Sequence, residues 1–235
     1  MSAEVKVRVD CETTNVSTSD STKSGSISSK GKLTRTMSAS SADKYPVHKA
    51  FGEAELKEGI TGYNFDGTSG LDLSSTYTKP ANNTGGFILI WSKCTDYTNK
   101  HFLNGGTNGG YLKFVDASTL EYKSGGSKGA TTTIRLNDTA GTTTSYTYGT
   151  TDVEALIWTV NTSNNVQIWN VNGDRIFNAI VAGAYGGQFV YQHILHDSSF
   201  AGPSLTLLDL IVYEDHQITA SDAATIASVA NSLKD

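Results

Sequence analysis

The chain has 235 residues, a formal net charge of −5 and 17% charged residues, below the roughly one quarter usual for globular proteins. The length fits one sandwich-sized domain with an extension, and the lack of a basic excess excludes nucleic acid as a general partner. Abundant Ser, Thr and Asn with 23 glycines suit an all-β protein with many turns. No apolar run approaches the length needed to span a membrane, so no membrane partner is expected.

The opening MSAEVKVRVD places Val5, Val7 and Val9 in alternation with Lys6 and Arg8, a short strand with one apolar face. Charges inside that alternation leave no signal-peptide core, so synthesis in a cytoplasm without cleavage is expected. From Thr13 to Ser41 about half the residues are Ser or Thr and none is aromatic. Such a stretch buries too little apolar surface to offset the entropy of ordering, so it reads as a tail, or as an arm ordered by a neighbouring subunit. Cys11 and Cys94 are expected to be unrelated thiols rather than a disulfide. Residues 50–59, AFGEAELKEG, predict one or two helical turns stopped at Gly59.

From Ile60 onward the pattern is strand and turn, which divides the chain into an arm, 1–59, and a domain, 60–235. In GYNFDGTSGLDL, Tyr63 and Phe65 alternate with polar residues ahead of Leu71 and Leu73. Phe87 to Trp91 are five consecutive apolar residues, which predicts a strand covered on both faces. GGYLKFVD, TLEYKSGG and TTTIRLND follow as strands, and TTTSYTYGTT as a strand or loop.

Residues 155–176, ALIWTVNTSNNVQIWNVNGDRI, read as two Trp-bearing strands and the start of a third. Leu156, Trp158 and Val160 share a core face, so Trp158 is predicted buried, while Trp169 falls opposite Val166 and Ile168. Asn172-Gly173 predicts a two-residue type I′ hairpin turn, and Asp174 to Val181 completes a meander. SLTLLDLIVYEDHQ predicts a long strand covered on both sides. The tail then switches period: Ile226, Val229, Ala230 and Leu233 mark an amphipathic helix with Ser221 as its N-cap.

Three of these pieces, YNFDGTSGLDL (63–73), EALIWTVNTSNNVQIWNVNGDRI (154–176) and LLDLIVYEDHQITASDAATI (207–226), together resemble the concanavalin A-like, laminin-G-like jelly-roll superfamily. The resemblance covers about residues 60–235, and the kind of member it suggests occurs in phage virion proteins. It implies a two-sheet antiparallel jelly-roll sandwich, here with a short C-terminal helix and an extended N-terminal arm. It implies no single activity, because this fold carries lectins, glycoside-cleaving enzymes, adhesion modules and particle proteins.

Glycosidases of this fold use a Glu-x-Asp-x-x-Glu strand, and retention needs two carboxylates about 5 Å apart. That string is missing. Asp152 and Glu154 read as a surface pair at a strand start, and Glu214, Asp215 and His216 alternate faces. His193 and His196 are three apart, which in a strand points them to opposite faces, and Asp197 alone does not complete a zinc site. The scattered Asp66, Asp116 and Asp174 lend no support to calcium. GSISSKGKL (25–33) is one residue too long for a phosphate loop, and no Gly-x-Ser-x-Gly elbow is present. No metal, no cofactor and no enzymatic activity are expected. A sugar site would draw on aromatics near Gly/Asn-rich loops: Tyr97, His101, Tyr111, Tyr185 and Tyr191.

The leading functional expectation is a non-catalytic structural protein of a bacteriophage particle, such as a capsid decoration or a head- or tail-associated component. It would be located in the virion, joined to other virion proteins through the arm, and oligomeric in the assembly. The alternative is a carbohydrate-binding, lectin-like module or phage adhesin, extracellular or at a cell surface, with a glycan as partner.

Overall fold

A computed structural model describes residues 4–10, 16–17, 26–28, 32, 36–39, 44, 46–50, 60–92, 94, 96–106, 109–125, 131–136, 146–186, 188–197, 199 and 201–234. In chain order the strands are β1 (Glu4–Asp10), β2 (Val16–Ser17), β3 (Ser26–Ser28), β4 (Thr36–Ser38), β5 (Val47–Ala50), β6 (Thr61–Asp66), β7 (Leu71–Lys79), β8 (Gly85–Ser92) and β9 (Lys100–Asn104). Then come β10 (Tyr111–Asp116), β11 (Thr119–Lys123), β12 (Thr131–Arg135), β13 (Val153–Val160), β14 (Asn165–Trp169), β15 (Arg175–Ile180), β16 (Phe189–Ile194), β17 (Ser204–Glu214) and the helix α1 (Ala220–Asn231).

The strands form two antiparallel sheets, the sandwich that the sequence predicts. One runs β15-β14-β13-β8-β17-β6-β5, and the other β12-β11-β10-β9-β16-β7-β4-β3-β2. β1 also pairs with β17: β6 takes the edge of Ser204–Leu207 and β1 that of Asp209–Glu214. The described strands before residue 60 therefore pair with this chain's own sheets, and β4 brings Met37 fully into the core. Residues 51–59, where helical turns are predicted, and Cys11 lie outside the described residues.

Alternation explains the layering. In β8, Phe87, Leu89 and Trp91 enter the core between the sheets, while Ile88 and Ile90 face α1. Both faces are covered, and every residue of β8 is buried. Trp158 is buried as predicted and stacks on Phe87 with ring centroids 5.7 Å apart. Trp169 is also buried, on the opposite face, where the Arg175 guanidinium lies 5.7 Å from its ring. Trp158 is therefore packed away from any ligand, and Trp169 keeps only an edge beside a surface cavity.

The meander β13-β14-β15 is present, but its turns differ from the predicted type I′. Of Asn172 and Gly173 only Gly173 has positive φ, at 78°, whereas type I′ needs both. Instead the Asn170 side chain accepts from the amides of Asn172 and Asp174, each at 2.9 Å. The preceding turn uses the same device: Asn161 Oδ1 accepts from Ser163 and Asn165 at 2.9 and 3.1 Å, with Asn164 left-handed. An Asn opening each turn replaces the ladder partners that the bend removes.

The helix begins two residues earlier than its predicted cap. Thr219, not Ser221, is the N-cap, and a capping box joins it to Asp222. Its buried stripe is Ala223, Ala227 and Ala230, while Val229 is 56% exposed. Small side chains let the helix lie close on the sheet, so the bulkier predicted stripe is rotated partly outward. No helix among the described residues is long and apolar enough to cross a membrane.

Candidate functional site: a polar row across the nine-stranded sheet

In β10, Leu112 and Phe114 are fully buried and Tyr111, Lys113 and Val115 alternate outward. A bulge in β9 then sets the neighbours. Leu112 faces Leu103 but Lys113 faces His101, so Phe102 is the extra residue. Phe102 and Leu103 both turn into the core, and His101 and Asn104 share the outer face.

Register carries this face across five strands. Lys123 pairs with Tyr111, Tyr111 with Asn104, Asn104 with His193, and His193 with Asp72. At about 4.8 Å per strand the row spans roughly 19 Å. A parallel row runs Thr133, Glu121, Lys113, His101. The Tyr111 hydroxyl donates to Glu121 Oε1 at 2.6 Å, and Lys113 Nζ lies 3.1 Å from the same oxygen. The edge of His101 meets Tyr111 at 5.4 Å between centroids.

Gly106 and Gly110 of the Gly-rich loop after β9, together with Asp197, wall in one end of this face. A cavity of about 290 Å³ there is lined by His101, Asn104, Gly110, Tyr111, Lys123 and Asp197. The loop needs its glycines: a Cβ on Gly109 would stand 2.0 Å from the Gly105 carbonyl oxygen. Asp197 is held by Ser199 and Ala201, whose amides donate to Oδ1 at 2.8 and 3.1 Å.

Charge states follow from these contacts. Burial pushes His101 below its ordinary value despite the nearby Asp197 carboxylate. The Tyr111 hydroxyl, followed by Lys113, holds Glu121 below the usual carboxylate range against the opposing effect of burial. Burial raises Asp197, but hydrogen bonds from Ser199 and Ala201 outweigh it and keep the group low. The pocket thus offers an imidazole whose pKa is lowered, an amide, a phenol ring, a lysine and one carboxylate, Asp197, which is not tuned as a proton donor.

Of the five predicted ligand residues, His101 and Tyr111 come together at this pocket. Tyr97 and Tyr191 do not: they are 3% and 4% exposed and pack in the core. Tyr97 stacks on Phe102, and its oxygen accepts from Trp91 Nε1 at 3.2 Å; Tyr191 stacks on Tyr77. Tyr185 is half-buried in another loop, where its carbonyl accepts from Lys79 Nζ at 3.3 Å. Asn104, Lys123 and Glu121 were not predicted. Tyr111-x-Lys113 and Glu121-x-Lys123 carry an outward alternation legible in the sequence, but the pairing that joins them depends on the bulge.

Two acidic and histidine readings are corrected. Glu154 is no surface pair with Asp152: it is fully buried and accepts from the Tyr146 hydroxyl and from the amides of Gly149 and Thr151. His193 and His196 do not point apart. β16 ends at Ile194, Leu195 turns at φ 59°, and the two rings meet at 4.9 Å. Both reach Asp72 Oδ1, and the three side chains hold ligand-type atoms within 4.8 Å of one another.

No family model matches the sequence, nor does any curated protein. Solved structures do match. Domain 4 of AbnA, a GH43 extracellular arabinanase from Geobacillus stearothermophilus in complex with arabinotriose, is 14% identical with a TM-score of 0.59, covering 96% of this chain and 98% of that one. A Trypanosoma rangeli sialidase mutant displaying trans-sialidase activity is 10% identical, TM-score 0.53, with 98% of this chain covering 34% of that chain. The Ruminococcus gnavus IT-sialidase CBM40 bound to α2,3-sialyllactose is 14% identical, TM-score 0.48, covering 75% of this chain and 100% of that one. The arabinanase domain and the sialidase share the β-sandwich fold of this chain, in agreement with the expected jelly roll. The expected phage connection draws no support from them.

Proposed function

We propose that this protein is a non-catalytic carbohydrate-binding module, acting extracellularly, whose sugar site is the pocket over β9, β10 and β11. The observation that carries this reading is the pocket's content: the Tyr111 ring and the polar groups of His101, Asn104, Lys123 and Asp197 converge on one cavity. A sugar presents C–H faces that suit an aromatic ring and hydroxyls that suit amides and carboxylates. The arabinanase domain that matches nearly the whole chain is bound to arabinotriose, which makes pentose oligomers the first ligands to try.

A non-catalytic role agrees with the pocket's electrostatics. Glycoside cleavage needs one carboxyl kept protonated as a general acid, and Asp197, the carboxyl lining the pocket, is driven toward ionisation. Nothing in the fold or the pocket favours the virion role over this one.

Calorimetric titration with arabinotriose, backed by a broad glycan array, tests the reading. Tyr111→Ala is expected to weaken binding about tenfold, ~1.4 kcal/mol. A wild-type protein that binds no glycan, or one whose binding ignores both Tyr111→Ala and His101→Ala, sinks it.

A further inference from the structure

We infer that Asp72, His193 and His196 form a binding site for a divalent transition metal of the zinc class, pinning β7 to the end of β16. The inference stands apart from glycan binding.

His196 is fully buried, and both its ring nitrogens face oxygen acceptors. Nδ1 meets the Asp197 carbonyl, while Nε2 lies 3.0 Å from Asp72 Oδ1 and 3.3 Å from the Leu71 carbonyl. His193 Nδ1 meets that same Asp72 oxygen. A neutral imidazole carries one N–H, so with a neutral His196 one lone pair is aimed at an oxygen. A divalent ion satisfies these clustered atoms together. It takes His196 Nε2, His193 Nδ1 and Asp72 together and leaves His196 Nδ1–H donating to the Asp197 carbonyl, the usual way a ligating histidine is oriented.

Ligands about 2.0–2.1 Å from a tetrahedral ion stand roughly 3.3 Å apart; the Asp72–His196 contact is 3.0 Å and all three ligand atoms lie within 4.8 Å of one another, so small side-chain shifts bring them to an ion. Two imidazoles and one carboxylate select Zn²⁺, Ni²⁺ or Cu²⁺ over the hard cations Ca²⁺ and Mg²⁺. Asp72 and His193 have side chains 31% and 12% exposed, so water can complete the shell. The backbone is shaped around this cluster. A Cβ on Gly70 would stand 2.2 Å from His196 Cδ2, and Leu195 adopts a left-handed conformation that is costly for its type.

The test uses the full, untagged chain after chelation. Calorimetry with Zn²⁺ should show one ion per chain, with affinity falling as the pH is lowered and protons compete for the imidazoles. Asp72→Asn and His193→Gln should each weaken binding by at least 100-fold, beyond the 10–100-fold typical of losing an outer-shell partner. Zinc should raise the Tm of the wild type and leave that of the variants unmoved. X-ray absorption at the zinc edge of loaded wild type needs no variant, and it should show two imidazoles. No saturable binding, fewer than two imidazoles, or full affinity in both folded variants overturns the assignment.

Discussion

Glu154, at the start of β13, is fully buried and accepts a hydrogen bond of 2.5 Å from the Tyr146 hydroxyl. The same carboxylate takes the Gly149 amide at 2.8 Å and the Thr151 amide at 3.2 Å. It therefore organises the turn entering β13. Glu154→Ala strands three donors and should cost about 2–4 kcal/mol of stability. Glu154→Gln keeps the shape and should cost less than half as much. Denaturant unfolding measures both, and an alanine variant as stable as wild type contradicts this account.

Lys79 gives a pH signature. Burial lowers its ammonium to about 8, well below the unfolded value. Between about pH 8 and 10.5 the unfolded chain holds the proton more tightly, so Lys79's contribution to stability rises with pH across that window. The stability of wild type relative to Lys79→Met should climb by about 1–3 kcal/mol from pH 7.5 to 10.5. A difference independent of pH would show that the ammonium is solvated.

Cys94 is a free, buried thiol pushed up to about 11, chiefly by burial. Only the thiolate attacks disulfide reagents. In a Cys11→Ser background, the remaining thiol should stay unreactive toward Ellman's reagent at pH 8 until denaturant is added. Rapid modification of the native chain would place Cys94 at the surface.

His101 should titrate below the ordinary histidine midpoint, because burial outweighs the Asp197 charge. Its pKa is lowered on folding, so its contribution to stability is lost as pH falls from above 6.5 through the folded value. The ring resonances of His101 in a pH series of NMR spectra measure this, with Asp197→Asn expected to lower the midpoint further. A midpoint above 6.5 refutes the stated balance.

The meander and the covered strands were legible because their signals are local: the alternation about Trp158 and the polar breaks at residues 161–165 and at Asn172-Gly173 depend on neighbours in the chain. The turn type was not, since an Asn side chain substituting for ladder partners looks the same on paper as the Asn of a type I′ turn. The five candidate aromatics were also equivalent in sequence, each beside glycines or asparagines. Only strand register separates Tyr111, outward in β10, from Tyr191, inward in β16. His193 and His196 were misjudged because the strand ends between them at a non-glycine residue with positive φ, which nothing in the residue types announces.

The shared edge of β17 has a consequence for synthesis. The strand lies inside its sheet, between β8 on one side and β6 and β1 on the other, yet it follows every other described strand in the sequence. While the chain emerges from the ribosome, β8 and β6 must wait for residues 204–214, and the oldest strand, β1, joins only then. Contacts this distant in sequence slow folding and prolong the exposure of unpaired edges. That side of β8 is therefore expected to stay unpaired until residues 204–214 have been made, which delays closure of this sheet to a late step in folding.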